Sequence, residues 1–167
     1  SYTDWSSAGT VDLKVENNYR LKLRSGSCTG IYPSPFTNQL GRMWIDFNRD
    51  GDYLDAGETL VSKQSNTSGP VEYNFDFAIP PTAQLDTTGM RLIWHTGAAY
   101  PNPCGNIASI GEVEDYIVRI VKFPIDGKLV SIDNPKSGCS MTNVPVSATL
   151  KNVGINPISN FNVSYSI

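Results

Sequence analysis

The feature that most constrains this chain is an apolar–polar alternation with a period of two, recurring along its length without a helical period. In "VEYNFDFAI" the residues Val71, Tyr73, Phe75, Phe77 and Ile79 fall on one side, with Glu72, Asn74 and Asp76 opposite. Successive side chains of a strand point to opposite faces, so this spacing predicts a half-buried strand. "TVDLKVE" repeats it with Val11, Leu13 and Val15, "YRLKLR" with Tyr19, Leu21 and Leu23, and "MWIDF" with Met43, Ile45 and Phe47. "MRLIWH" and "YIVRIV" complete the set, and clusters of Gly, Pro, Asn and Ser separate the runs. The predicted fold class is therefore all-β: an antiparallel β-sandwich, jelly-roll-like, whose two inner faces bury a core without helices.

A second unit is expected after "YIVRIVKFPIDG", where Pro124 and Gly127 interrupt the pattern. We place the first domain at 1–123 and the second at 124–167, with strands at "KLVSI", "VPVSATLKN" and "FNVSYSI". Some 40 residues are too few for an immunoglobulin-like sandwich of roughly 100, so a partial β-sandwich unit is expected there.

Hydrophobic residues make up 40% and charged residues 17% of the 167 positions, a globular balance that argues against disorder. A net charge of -3 supplies no basic surface for nucleic acid. No apolar run approaches the roughly 20 residues of a membrane-spanning helix, so neither nucleic-acid binding nor membrane insertion is expected. "SYTDWSS" carries no targeting signature, and a secretion signal is expected outside this sequence.

"WIDFNRDGDYLDAGE" concentrates Asp46, Asn48, Asp50, Asp52, Asp55 and Glu58 in one stretch of a chain with 16 acidic residues. Carboxylates so crowded repel one another unless a cation sits among them. Calcium is a hard cation that takes 6–8 oxygen ligands. Asp46, Asn48 and Asp50 have the alternate spacing of the loop D-x-[DN]-x-[DN]-G, and Gly51 follows where that loop turns sharply. Asp52 adds a carbonyl or side chain, and Glu58 closes the set. Glu58 is the thirteenth residue rather than the twelfth, and no flanking helices are evident, so an EF-hand is not expected. The plain alternative is a solvated acidic hairpin tip. Magnesium suits the set less well, because it keeps several waters and takes few protein ligands.

"IGEVEDYIVRI" holds a second acidic group, Glu112, Glu114 and Asp115, directly before a strand. Together, "WIDFNRDGDYLDAGE", "GMRLIWH" and "PCGNIASIGEVEDYIV" resemble the GEVED domain of secreted bacterial multidomain proteins, with coverage from Tyr2 to Val121. The tail from Ser131 resembles the start of an immunoglobulin-like repeat. The resemblance implies an extracellular or cell-surface β-sandwich joined to peptidases, glycoside hydrolases or adhesins, with the other domains of the same polypeptide as neighbours. It implies no reaction and no ligand. By alternation Glu112 and Glu114 share a strand face, which leaves two readings: Glu112 joins the calcium loop, or these acids pair with Arg91 or Arg119 as a structural ion cluster.

Catalytic signatures are missing. His95 is the only histidine, and neither G-x-S-x-G nor H-E-x-x-H occurs. Carboxylates held on calcium are poor general acids, because the cation favours their ionised form. The expected function is a non-catalytic, calcium-stabilised accessory binding module of a secreted bacterial enzyme, with polysaccharide as ligand. Sugars pack on aromatic rings, and the loops offer Trp5, Tyr32, Phe36, Tyr53 and Tyr100. Of these, Trp5, Tyr32, Tyr53 and Tyr100 are the candidate ligand contacts. An extracellular protein substrate, collagen-like, is the second reading, and a rigid calcium-stiffened spacer the third. Lys14, Arg20, Lys22 and Arg24 alternate outward from the apolar positions of two strands; the plain reading is a solvated outer sheet face, and the alternative a basic strip that would suit a sulfated polymer.

Three cysteines, none in a CxxC, argue against zinc and thioredoxin-type chemistry. Cys28 and Cys104 both lie in turn-rich loops and are expected to pair, as a secreted protein allows; Cys139 is left over. Peptide mapping without reductant, on protein matured under oxidising conditions, is expected to recover a Cys28–Cys104 cross-linked peptide. Two free thiols there would refute the pairing.

Overall fold

A computed structural model describes residues 2–25, 38–66, 71–105, 110–136 and 143–166. Cys28, Tyr32, Phe36 and Cys139 lie outside these, as do the sequence expectations that rest on them. The described residues form strands and no helix. None of them forms a helix long and apolar enough to cross a membrane.

The chain divides into two compact units, Ser1–Val121 and Lys122–Ile167. In the first, the strands are β1 (Tyr2–Asp4), β2 (Val11–Lys14), β3 (Asn18–Ser25), β4 (Gln39–Ile45), β5 (Thr59–Ser65), β6 (Val71–Ala78), β7 (Asp86–Thr96) and β8 (Gly111–Val121). One sheet runs β1-β8-β7-β4-β5, with β2 also on β8; the other is the pair β3–β6. The ladders β8-β7-β4-β5 and β3–β6 are antiparallel. The short strands β1 and β2 instead lie parallel to β8, one after the other along its free edge. Apolar spacing carries no information on strand direction, so the sequence left this parallel edge unread.

The two sheets face each other as a sandwich, and the alternating residues meet between them. Leu23 packs with Met43, Val61 and Leu92, and Leu21, Tyr73, Phe75 and Phe77 complete that part of the core. A second cluster joins Leu13, Val15, Ile45, Phe47, Ile79, Val118 and Ile120. The alternation overshoots at one position: Val11, on the β8 edge, is 62% exposed. β4 is buried on both faces, with Met43 and Ile45 on one and Trp44 on the other. It lies between β7 and β5, and its second face is covered by loops, as the next subsection describes.

The outward residues of the small sheet form a ladder of opposite charges. Arg20 bonds Asp76 through two contacts (2.6 and 2.9 Å), and Lys22 lies 3.0 Å from Glu72. The strip expected to offer Arg20 and Lys22 to a polyanion is thus neutralised across the strands. Its cause is the register: β3 and β6 alternate in step, so their polar positions fall opposite each other.

The second unit holds β9 (Gly127–Asn134) and β10 (Ser147–Asn152), an antiparallel pair with Leu129 opposite Leu150. Residues 153–156 return to residues 123–126, where Val153 and Gly154 donate to the Asp126 carbonyl and Asn156 to that of Pro124. Leu129, Val130, Ile132 and Leu150 are exposed. The strand expected at "FNVSYSI" is not formed: residues 161–166 pair with no described strand, and Phe161, Val163 and Tyr165 are exposed. A strand requires a ladder partner, which alternation by itself does not supply.

Candidate functional site

The acidic loop leaves the sheet at the end of β4 and returns at β5. Ile45 N–H donates to the Glu58 carbonyl (3.2 Å), which closes its base. Glu58 is 2% exposed, and its carboxylate organises the loop from inside. Oε1 accepts from Phe47 N–H at 2.8 Å and from Asn48 N–H at 3.5 Å, while Oε2 accepts from Asp55 N–H at 3.3 Å. Burial raises the pKa of Glu58, and the nearby Asp46 carboxylate raises it further.

Above this clamp the side chains form a relay of Asx turns. Asn48 Oδ1 accepts from Asp50 N–H, Asp50 Oδ1 from Asp52 N–H, and Asp52 Oδ1 from Leu54 N–H, at 2.8–3.1 Å. Asn48 Nδ2 donates to both Asp50 and Asp55, and carboxylate oxygens of Asp50, Asp52 and Asp55 lie within 4.8 Å of one another. Gly51, with φ of +94°, donates its N–H to Asp46 Oδ2 at 3.1 Å. Asp46 is 7% exposed, and its Oδ1 has no hydrogen-bond partner. A buried carboxylate oxygen left unpaired is costly unless a cation meets it. Hard oxygens with one buried orphan fit calcium better than a softer metal.

Two expectations about the ligand set change. Asp55, left out of the expected ligands, belongs to the converging group. Glu112 does not join it: Glu112 pairs with Trp94, five residues along β7 from Gly89, whose carbonyl accepts from Asp46 N–H. At about 3.3 Å per residue this is roughly 16 Å. Glu112 instead accepts from Thr3 Oγ1 (3.0 Å), and Glu114 from the Tyr116 hydroxyl (2.7 Å).

The ion-cluster reading describes Asp115. Arg91 meets it in a two-pronged contact, Nε to Oδ1 and Nη2 to Oδ2, both 2.6 Å, with the side chains 25% and 18% exposed. Tyr2 adds a third bond to Asp115 at 3.0 Å. Arg119 pairs with Asp12. At the start of the same run, Gly111 lies against β7: a Cβ there would be 2.4 Å from that of His95 and 2.5 Å from the Trp94 carbonyl oxygen. The run is therefore built into the sheet on both neighbours. His95 itself is buried in β7, with Nδ1 3.1 Å from the Thr96 carbonyl.

Arg91 also has a third partner, which builds a cavity. Register puts Arg42, Trp44, Arg91 and Asp115 on the sheet face opposite the core. The loop after β7 folds across this face, where the Pro103 carbonyl accepts from Arg91 Nη1 (2.6 Å) and the Pro101 carbonyl from Arg42 Nη1 (3.4 Å). Tyr100 packs its ring on the Arg42 guanidinium, 4.7 Å from the centroid. From the acidic loop, Tyr53 reaches over Arg91 at 5.7 Å. Its hydroxyl lies so close to β7 that a Cβ at Gly89 would be 2.5 Å away, so only glycine admits it. Burial, then the charge of Asp115, pushes the Tyr53 hydroxyl up to about 12, and it stays a neutral donor. Between the two loops lies an open cavity of about 330 Å³, lined by Arg42, Trp44, Tyr53, Thr59, Tyr100 and Asn102 among others. Trp5 is not part of its lining; it follows β1, and its N–H donates to the Asp115 carbonyl. Cys104, on the loop, is exposed and forms no disulfide among the described residues; Cys28 lies outside them.

Residues 41–119 match the family model of the GEVED domain. The match is narrower than the Tyr2–Val121 span of the resemblance, and it contains both loops, both arginines and Asp115. No curated protein and no solved structure matches the chain.

Since Arg91 holds Asp115 and the Pro103 carbonyl together, Arg91→Ala is expected to lower stability by about 1–3 kcal/mol. Denaturant unfolding measures this. Hydrogen exchange is expected to rise at residues 102–105, and an unchanged loop would show that the Pro103 contact is incidental.

Proposed function

We propose, on the premise that residues 41–119 form a GEVED domain, that this chain is a non-catalytic accessory module of a secreted bacterial protein, stiffened by calcium and binding polysaccharide. The observation that carries the calcium part is the buried, unpartnered Asp46 Oδ1 at the base of a loop whose Asp50, Asp52 and Asp55 carboxylates converge. Asn48 bridges Asp50 and Asp55 through its amide nitrogen, and Glu58 sets the loop backbone from beneath. Calcium there would relieve the repulsion among these groups and hold Tyr53 in place.

The binding part is supported by the company Tyr53 keeps. It shares the cavity with Tyr100, Arg42 and Asn102 over a floor of buried Trp44, which gives two tyrosine rings and several hydrogen-bonding groups of the kind a pyranose requires. A sugar offers little apolar area, so a wall ordered beforehand spares the cost of ordering it on binding. His95, the one histidine of the sequence, is buried within β7.

Calcium is expected to raise the melting temperature by several degrees over EDTA, since binding to the native state at a hundredfold excess over Kd contributes about 2.7 kcal/mol. Coincident melts, with no metal found by elemental analysis, would overturn the calcium reading.

Polysaccharide binding is tested by affinity electrophoresis. Tyr100→Ala, at an exposed rim position, is expected to lose retention while melting within a few degrees of the parent. A chain unretarded by every polysaccharide but captured by immobilised collagen would replace this reading with the protein-substrate one. Capture by neither would leave the spacer.

A further inference from the structure

Most arginines of the first unit are paired with a carboxylate, and Arg42 is not. Arg20, Lys22, Arg49, Arg91 and Arg119 each face a carboxylate. Arg42 forms no ion pair among the described residues. Its Nε donates to Ser62 Oγ (3.1 Å) and its Nη1 to the Pro101 carbonyl (3.4 Å), both neutral acceptors. A guanidinium carries five N–H donors, so three remain on the Nη1–Nη2 end. Tyr100 packs on its face and Ser62 and Pro101 hold its edge, so the group is fixed in orientation and lines the cavity. Among the described residues the lining contains no acidic side chain to satisfy it.

We infer that Arg42 is a specificity-determining residue for a carboxylate-bearing sugar, a uronic acid, within the polysaccharide site proposed above, on which this inference rests. A planar guanidinium with parallel N–H groups matches a carboxylate in two-pronged fashion, which a neutral sugar cannot exploit. The pyranose ring then lies between Tyr53 and Tyr100, with Asn102 and Thr59 within the same cavity for hydroxyl groups. A sulfated polymer fits less well, because Arg20 and Lys22 of the basic strip on β3 are cancelled by Asp76 and Glu72 of β6. The acidic loop next to the cavity repels an anion until its own charge is compensated, so uronate binding is strongest with calcium present.

The test is affinity electrophoresis of the whole chain, in calcium, against hyaluronan and glucuronoxylan and against the same polymers with their carboxyl groups reduced to alcohols. At least one uronate polymer is expected to retain the chain, and carboxyl reduction to weaken that retention at least about tenfold, the loss of a charge-assisted contact. Arg42→Gln is expected to match that loss, Arg42→Lys to fall between, and Arg20→Gln to change nothing. The reduced polymers test the inference on the parent chain, so it stands or falls even if an Arg42 variant fails to fold. Equal retention by a reduced polymer would overturn the role of Arg42 and leave the polysaccharide reading intact. Retention by poly-glutamate but by no polysaccharide would overturn both in favour of an acidic protein partner. No retention by any polymer would overturn both as well.

Discussion

The pair Arg91–Asp115 is the contact on which the loop-covered face of the large sheet depends. It is a cross-strand pair between β7 and β8, held by two bonds of 2.6 Å and largely shielded from water. From that fixed position the same guanidinium reaches the Pro103 carbonyl and lies beneath the Tyr53 ring. One side chain therefore sets both walls of the cavity: the loop that carries Tyr100 and the acidic loop that carries Tyr53. Asp115 also accepts from Tyr2, which helps tie the parallel strand β1 to the β8 edge. A partly buried, forked and further hydrogen-bonded ion pair of this kind gives orientation, where an exposed single contact gives little.

The acidic residues divide by what compensates them. On the small sheet, Asp76 and Glu72 face Arg20 and Lys22 in water, which favours register and contributes little stability. In the Gly111–Asp115 run the acids accept bonds from Thr3, Tyr116 and Arg91, so the run is part of the sheet's construction. The acidic loop meets its charge mainly with backbone N–H groups and one asparagine, leaving a buried Asp46 oxygen unmatched.

The two units differ in how completely their apolar residues are covered. In the first, two sheets enclose the alternating side chains of both. In the second, a two-stranded pair has Leu129, Val130, Ile132 and Leu150 exposed, and an isolated hairpin is marginal in water.

The sequence by itself determined the class of fold, because period-two spacing has one physical meaning and each of the six apolar runs read from it in the first unit lies on a strand, some overhanging its ends by a residue or two. It also determined that charge gathers between Asp46 and Glu58, and that Tyr53 and Tyr100 sit in loops. β5 passed unread, since "TLVSKQS" alternates only briefly before turning polar at an edge. Tertiary structure alone decided which acids share a site. Asp55 lies with Asp50 and Asp52 because the relay of Asx turns curls the loop, whereas Glu112 stands several residues along the sheet from it. The cavity, too, belongs to the tertiary structure: Tyr53 and Tyr100 stand 47 positions apart in the chain and meet only because Arg42 and Arg91 emerge on one sheet face. Spacing along a chain reports which face a side chain takes on its own strand; which strands become neighbours, and in what register, is set by pairing between segments distant in sequence.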